Sequence, residues 1–389
     1  MTVRVNKQPF NIREKLSELE RPIGQKGSEL MRSETVYQAR NALSAGRKNL
    51  IINGNMAIDQ RNDGSSFTAT DHHVLDRYKL KENTSGSFSI NRDQFPVGDQ
   101  HPEGHRYAMQ IACTSTDTSL SGNEHAVIMH MIEGYNIIGT GFGTKAAKNM
   151  TLSFWVKTNV PGTYSVALKN SAQNRCQVKE YQAGMSGMVW EKIVLTYSGC
   201  NDGSWDYGTG IGMKLEFGLA GAQASYSTTD IDAWKTSNLF LSSDQVNFFS
   251  STNNRFFITG IQLEIGDQAT EFEHRPYGEE LALCQRYFQK KKIGYGRIAH
   301  FRTSGIMVFA VDLPVTMRGS STNTVTQDTG LNQWAFQDGV SPSISAIQTN
   351  NSSYDGSTLS LLYTVSSGGS INETCFYFGG GSLLIDAEL

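Results

Sequence analysis

A chain of 389 residues has room for two or three domains at roughly 100–200 residues each. Charged residues make up 18%, and 38 Gly with only 8 Pro suit many short strands joined by tight turns. A net charge of −3 gives no electrostatic case for nucleic acid or an anionic membrane, and the longest apolar run, Ile306–Val311, is far short of the ~20 residues that a membrane span needs.

Residues 1–48 read as two short amphipathic helices. Asn11 can cap the first, with Glu14 at the reciprocal position; Ile12, Leu16 and Leu19 form its apolar stripe, and Arg21-Pro22-Ile23-Gly24 stops it. The second is predicted over about Ser33 to Ala45, with Val36, Ala39, Ala42 and Leu43 inward and Gly46 as terminator. Helices this short are marginal alone. Ile12, Leu16, Leu19, Val36 and Leu43 are therefore assigned to an assembly interface, with a lid on the next domain as the alternative. The opening Met1-Thr-Val-Arg-Val-Asn leads into a polar helix rather than a secretory signal, so synthesis in a reducing cytoplasm is expected. The five scattered cysteines (Cys113, Cys176, Cys200, Cys284 and Cys375) then read as buried free thiols.

From Asn49 to about Thr270 the pattern is β throughout. Strands are predicted over Leu50–Ile52, Ser87–Asn91, Tyr107–Ala112, His125–Ile132, Met150–Lys157, Gly162–Leu168, Glu191–Tyr197 and Met213–Leu219. Turn clusters such as Asn62-Asp63-Gly64-Ser65 and Asn201-Asp202-Gly203-Ser204 separate them. Strands at this spacing with no helical pattern between them argue for an antiparallel jelly-roll β-sandwich. Leu152, Phe154 and Val156 alternate with Thr151, Ser153, Trp155 and Lys157, which leaves Trp155 as well suited to an outer sheet face as to the core.

The stretch Arg255–Gln289 joins the two β parts. Phe256, Ile258, Gly260, Gln262 and Glu264 alternate with Phe257, Thr259, Ile261, Leu263 and Ile265; the second set is almost wholly apolar and is expected to face the core. After His274-Arg275-Pro276, the residues Tyr277, Leu281, Cys284 and Phe288 form one stripe of a linker helix over 277–292. Residues 293–389 return to strands, the clearest being Ile306–Val311, Leu361–Val365, Thr374–Phe378 and Ser382–Leu389. The domain reading is thus 1–48, 49–276, 277–292 and 293–389.

Catalytic signatures are weak. Gly139-Thr140-Gly141-Phe142-Gly143-Thr144-Lys145 lacks the Ser or Thr and the following helix of a phosphate loop, so a glycine-rich turn is expected. Asp71-His72-His73 with Asp76, and His101-Pro102-Glu103-Gly104-His105, hold metal-ligand atoms, but adjacent histidines on a strand point to opposite faces and the second group lacks a third ligand. Glu264, Glu271 and Glu273 fit a solvated domain edge. No catalytic residue, metal or cofactor is assigned. Trp205 and Tyr207 follow a turn, and Trp234 lies among Asp230, Asp232 and Lys235. Flat aromatic faces beside Asn and Asp can stack a sugar ring, so Trp205, Tyr207 and Trp234 are the candidate glycan-binding residues; aromatic plugs closing the sandwich ends are the alternative.

One set of residues resembles a family of tailed-phage virion proteins, common among phages of marine bacteria. It comprises Asn49-Leu50-Ile51-Ile52-Asn53-Gly54 with Ala57-Ile58-Asp59-Gln60-Arg61, Asp76-Arg77-Tyr78, and Thr151-Leu152-Ser153-Phe154-Trp155-Val156. It continues with Thr259-Gly260-Ile261-Gln262-Leu263-Glu264, Phe272-Glu273-His274-Arg275-Pro276, Cys284-Gln285-Arg286-Tyr287-Phe288 and Leu384-Ile385-Asp386-Ala387-Glu388. Tyr78 stands where the family more often has Trp. The resemblance implies a trimeric tail fibre or appendage with a jelly roll similar to carbohydrate-binding modules, and it supplies no catalytic residues. The expectation is a homotrimer displayed on a virion, attached to other virion proteins through its N-terminus and holding a host surface glycan, with no nucleic acid and no membrane insertion. A connector or decoration subunit is the alternative within a virion, and a glycan-binding module of a secreted enzyme is the alternative outside one.

Overall fold

The computed structural model describes residues 47–68, 72–95, 101–102, 104–223, 225–294 and 298–319, and then 324–327, 334–336, 343–347, 353–354, 358–367, 374–377 and 381–388. The helices expected within 1–48, with Ile12, Leu16, Leu19, Val36 and Leu43, lie outside the described residues.

In chain order the first β part contains β1 (His72–Leu75), β2 (Tyr78–Glu82), β3 (Ser87–Gln94), β4 (Tyr107–Ser115), β5 (His125–Glu133), β6 (Met150–Thr158), β7 (Gly162–Lys169), β8 (Cys176–Ala183), β9 (Glu191–Tyr197), β10 (Ile211–Gly221), β11 (Ser227–Thr228), β12 (Leu241–Ser242) and β13 (Arg255–Ile265). They form a six-stranded sheet in the order β1-β2-β5-β10-β7-β8 and a five-stranded sheet in the order β3-β4-β13-β6-β9, with β11 and β12 as a separate short pair. The chain passes repeatedly from one sheet to the other, as from β5 to β6, β8 to β9 and β9 to β10, and neighbours within both sheets are antiparallel. This is an antiparallel jelly-roll β-sandwich. Leu152, Phe154 and Val156 of β6 meet Val166, Leu168, Leu215 and Phe217 of the opposite sheet in one continuous apolar core. All five cysteines are buried free thiols.

Strands are expected from alternation, and β1 and β8 escape that test. The outer face of the six-stranded sheet is covered by Phe240, Leu241 and their neighbours, so β8 buries Gln177 beside Cys176 and Val178 and shows no clean alternation. The strand expected at Leu50–Ile52 is irregular backbone instead. Its groups are claimed locally: the Asn49 carboxamide oxygen accepts from Ile51 N and Leu263 N at 3.0 Å each, while Asn53 takes a φ of 61°.

β13 departs from its expected phase in an informative way. Phe256 and Ile258 face the core, and so do Ile261 and Leu263, although simple alternation would put them on opposite sides. The register against β6 shifts between Thr259 and Gln262, and Gly260 within that bulge has a φ of 64°. One extra residue flips the phase, so Thr259, Gln262 and Glu264 become the outward set. Glu264 is buried on that outer face rather than solvated.

After the sandwich come helix α1 (Tyr277–Gln285) and strands β14 (Phe288–Ile293), β15 (Ile298–Thr303), β16 (Ile306–Asp312), β17 (Thr324–Gln327), β18 (Trp334–Phe336), β19 (Ser343–Ile347), β20 (Ser353–Tyr354), β21 (Thr358–Ser367), β22 (Thr374–Tyr377) and β23 (Gly381–Asp386). They build a three-stranded sheet, β14-β23-β17, and a seven-stranded one, β18-β22-β15-β16-β21-β19 with β20 on β21, around their own core of Phe301, Phe309, Tyr363 and Ile385. The helix expected over 277–292 therefore stops at Gln285, because Phe288–Ile293 pairs with β23 as an edge strand whose Lys290 and Lys292 face solvent. Its buried side is also different. Glu280 and Cys284 face inward while Tyr277 is exposed, because Arg275 holds the Glu280 carboxylate at 3.2 Å and Asn53 N donates to it.

A buried polar seam joins the two β parts. Arg77, in the turn between β1 and β2 with a φ of 74°, pairs with Glu388 just beyond β23 and lays its guanidinium 3.5 Å from the centroid of Tyr287. Arg61 reaches Asp386 at 2.9 Å and Glu388 at 3.3 Å. Arg286 makes a forked pair with Glu133, at 2.6 and 2.9 Å, and Tyr287 donates to the same carboxylate at 2.7 Å. Arg318 donates to the carbonyls of Ala387 and Glu388 at 2.7 and 2.9 Å. Many of the residues that carry the phage-protein resemblance meet here.

Burial works to raise the Glu388 carboxyl, but Arg77, His73 and Arg61 outweigh it and hold it at about 2. Burial pushes His73 down to about 4 and His130 down to about 3, and pushes Asp76 up to about 6. Glu388 thus contributes stability that is complete above about 4.5 and lost as pH falls towards 2. Below 6.5 the unfolded chain takes up protons that folded His73 and His130 refuse, so acidification destabilises; Asp76 opposes this between about 6 and 3.8. Replacing Glu388 by Gln leaves the buried Arg77 guanidinium without its carboxylate, while Arg61 keeps Asp386, and should cost about 3–5 kcal/mol by denaturant titration at neutral pH. Melting curves should show the gap between wild type and Glu388→Gln narrowing below pH 4.5. A gap that is small at neutral pH, or that does not change with pH, would contradict the seam's role.

Candidate functional site

The outer face of the five-stranded sheet holds a cavity of about 430 Å³, lined by Gly104, His105, Ser153, Phe154, Trp155, Lys192, Gly260, Thr270, Glu271, Phe272 and His274. That is within the usual range for a small-ligand site. Alternation along β6 turns Trp155 outward, and the register places Thr259 of β13 on one side of it and Lys192 of β9 on the other. The bulge then shapes the floor. A Cβ at Gly260 would lie 3.0 Å from Trp155 Cδ1 and 2.8 Å from His105 Nε2, so only glycine lets the indole and imidazole close over the strand. The wall that follows β13 is pinned from beneath: Glu264 accepts from Thr270 N and Thr270 Oγ1 at 2.8 Å each and from Gln262 Nε2 at 2.9 Å, and Gln262 Oε1 accepts from Glu273 N at 2.9 Å.

The lining is aromatic and basic. The rings of His105, Phe272 and His274 meet with centroids 4.8 to 5.5 Å apart, and the Lys192 ammonium lies 6.0 Å from the Trp155 ring centroid. Burial, followed by the like charges of His274, His101 and Lys192, pushes His105 down to about 4, so the ring is neutral at ordinary pH. Its Nδ1 is buried without a hydrogen-bond partner among the described residues. A flat indole with an ammonium 6.0 Å from its centroid, beside Ser153 and two imidazoles, offers a stacking surface and directional polar groups suited to a polyhydroxylated ring.

None of Trp205, Tyr207 and Trp234 lines this cavity. Trp205 is 6% exposed and belongs to the sandwich core; its ring meets Phe142 edge-on at 4.8 Å and Trp234 at 5.8 Å, and its Nε1 donates to Asp202 O at 3.1 Å. Trp234 is half-buried and donates to Ser198 O at 2.9 Å, and Tyr207 donates its hydroxyl to Phe142 O. Their polar atoms and ring edges are engaged within the fold, as an aromatic plug at a sandwich end. The glycine-rich turn at 139–145 supports that plug: a Cβ at Gly143 would lie 3.0 Å from both Gly203 O and Trp205 Cδ1. Among the described residues no group of three His, Cys, Asp or Glu side chains is placed to hold a metal ion; Asp71 and Glu103 lie outside them. His73 sits at the seam beside Glu388 and His105 in the cavity. Sequence reasoning missed the cavity because its members are scattered over five chain segments. A glycine inside a strong strand pattern and a tryptophan on the polar phase of β6 were the available signals.

No protein-family model matches the chain, and no curated protein matches it in sequence. Solved structures with a likeness to it include the enzymatically active domain of tailspike protein 4 from Bacteriophage CBA120, at 10% identity and a TM-score of 0.30, over 56% of this chain and 21% of that one. A family 61 carbohydrate-binding module in complex with β-1,4-galactotriose matches at 8% identity and a TM-score of 0.28, over 57% of this chain and all of that module. A family 11 carbohydrate-binding module of a Clostridium thermocellum cellulosomal cellulase matches at 10% identity and a TM-score of 0.26, over 54% of this chain and 99% of that one. The chain spans 21% of the tailspike chain's length.

Because Trp205 fills the sandwich end, Trp205→Ala should cost about 3–5 kcal/mol in chemical denaturation. A loss below about 0.5 kcal/mol would return Trp205 to the surface.

Proposed function

We propose that this chain is a non-catalytic structural protein that binds carbohydrate, acting as a trimeric fibre or appendage of a phage virion that touches a glycan on the host surface. The single observation that carries the binding role is the cavity in which Trp155, Lys192, His105 and Phe272 converge on the outer face of the five-stranded sheet. The virion setting is supported by the resemblance of the residue set at 49–288 and 384–388 to tailed-phage virion proteins. In this reading residues 1–48 join three copies and attach them to the particle. Binding through one cavity per copy is weak, and several copies on one rigid particle multiply it.

A second reading, a connector or decoration subunit bound only to virion proteins, is favoured by the loop that crosses between the sheets from β8 to β9. There Met185, Met188 and Val189 are 66%, 45% and 50% exposed, which suits protein contact better than sugar.

A glycan array probed with the full chain tests the binding role. Trp155→Ala should weaken the strongest signals by about tenfold or more, as loss of a stacking platform does, while the melting temperature stays within a few degrees of wild type. Light scattering on the same preparation should give the mass of three chains. Glycan binding that survives Trp155→Ala would remove the cavity from the account, and a monomer would remove the autonomous fibre.

A further inference from the structure

We propose that the ligand of the outer-face cavity is an acidic saccharide, with a sugar ring against Trp155 and its carboxylate bound by the Lys192 ammonium. The proposal rests on the reading that this cavity takes a sugar, and it adds the chemical class.

Lys192 is an exposed lysine in the cavity lining, and among the described residues it forms no ion pair; its side chain stands beside the Trp155 indole, 6.0 Å from the ring centroid. Two other lysines of the sandwich are committed to carboxylates, Lys179 to Asp232 at 2.6 Å and Lys169 to Glu216 at 2.7 Å. The remaining charge-bearing members of the lining are the imidazoles of His105 and His274 and one described carboxylate, Glu271. The nearby Glu264 carboxylate is turned away into its bonds with Thr270 and Gln262.

A carboxylate borne directly on a pyranose ring sits at the rim of that ring. With the ring against the indole, the Lys192 ammonium, 6.0 Å from the indole centroid, is within reach of that carboxylate. A neutral sugar would leave that ammonium to water, whereas a uronate forms a charge-assisted hydrogen bond, and partial enclosure by Phe272 and His105 strengthens it. His274 stands at the same cavity and adds a second donor for the anion.

Calorimetric titration of the full chain with fragments of polygalacturonate, alginate and hyaluronate, each beside its carboxyl-reduced neutral form, tests the proposal. At least one acidic form should bind about five- to tenfold more tightly than its reduced partner, and the difference should shrink as salt is raised. Lys192→Gln should erase that preference while keeping the affinity for the neutral form, and Trp155→Ala should weaken both forms. Equal affinity for the acidic and reduced forms, or a preference that survives Lys192→Gln, would overturn the acidic ligand and leave the sugar-binding reading standing. No binding of either form of any of the three would count against both.

Discussion

The buried carboxylate of Glu388 is the interaction on which the described architecture depends. Two β parts with separate cores could sit loosely beside one another, joined by a short helix. Instead the residues after β23 place one anion against Arg77 and Arg61, while Arg318 holds the backbone carbonyls around it. A charge desolvated to this degree is tolerable only with its partners in place, so the pairing dictates one relative arrangement instead of many. The arginines are in turn supported by the faces of Tyr287 and Phe288, and Glu133 ties the end of β5 to the residues after α1.

The seam also gives a physical meaning to polar residues spread along the sequence. Asn49, Asn53, Asp76, Arg77, Arg275 and Arg286 look like scattered polar residues in sequence. In the fold each one satisfies backbone or charge at the junction: Arg275, for example, bonds Asn49 O at 2.6 Å, Ile51 O at 3.1 Å and the carboxylates of Glu273 and Glu280. Such a set holds two β parts in one orientation.

Much of the sandwich is legible in the sequence, because β4, β6, β7, β9 and β10 each keep one apolar face over seven or more residues. Legibility fails where a side chain overrides the period. At Gly260 a bulge reverses the phase of β13, so both apolar sets turn out to face the core. At Leu50–Ile52 the carboxamides of Asn49 and Asn53 take the place of a strand partner. At Phe288 a helical stripe becomes a strand because β23, almost a hundred residues later, supplies the pairing. The candidate site is lost to sequence reasoning for the same reason. Trp155 and Lys192 are brought together by strand register, His105 by a loop and Phe272 by the return after β13, and no local window contains more than one of these segments. Conversely, Trp205 and Trp234 had the right company for a sugar platform, but turn-borne aromatics beside a sandwich end fill the gap between sheets whenever they can.

The most direct test follows the five tryptophan indole N–H signals by nuclear magnetic resonance while the tightest-binding oligosaccharide is added. The account predicts that the Trp155 signal moves with saturation while those of Trp205 and Trp234, bonded to the Asp202 and Ser198 carbonyls, hold still. Movement of Trp205 or Trp234 with Trp155 unchanged would place the binding surface at the sandwich end and contradict the cavity.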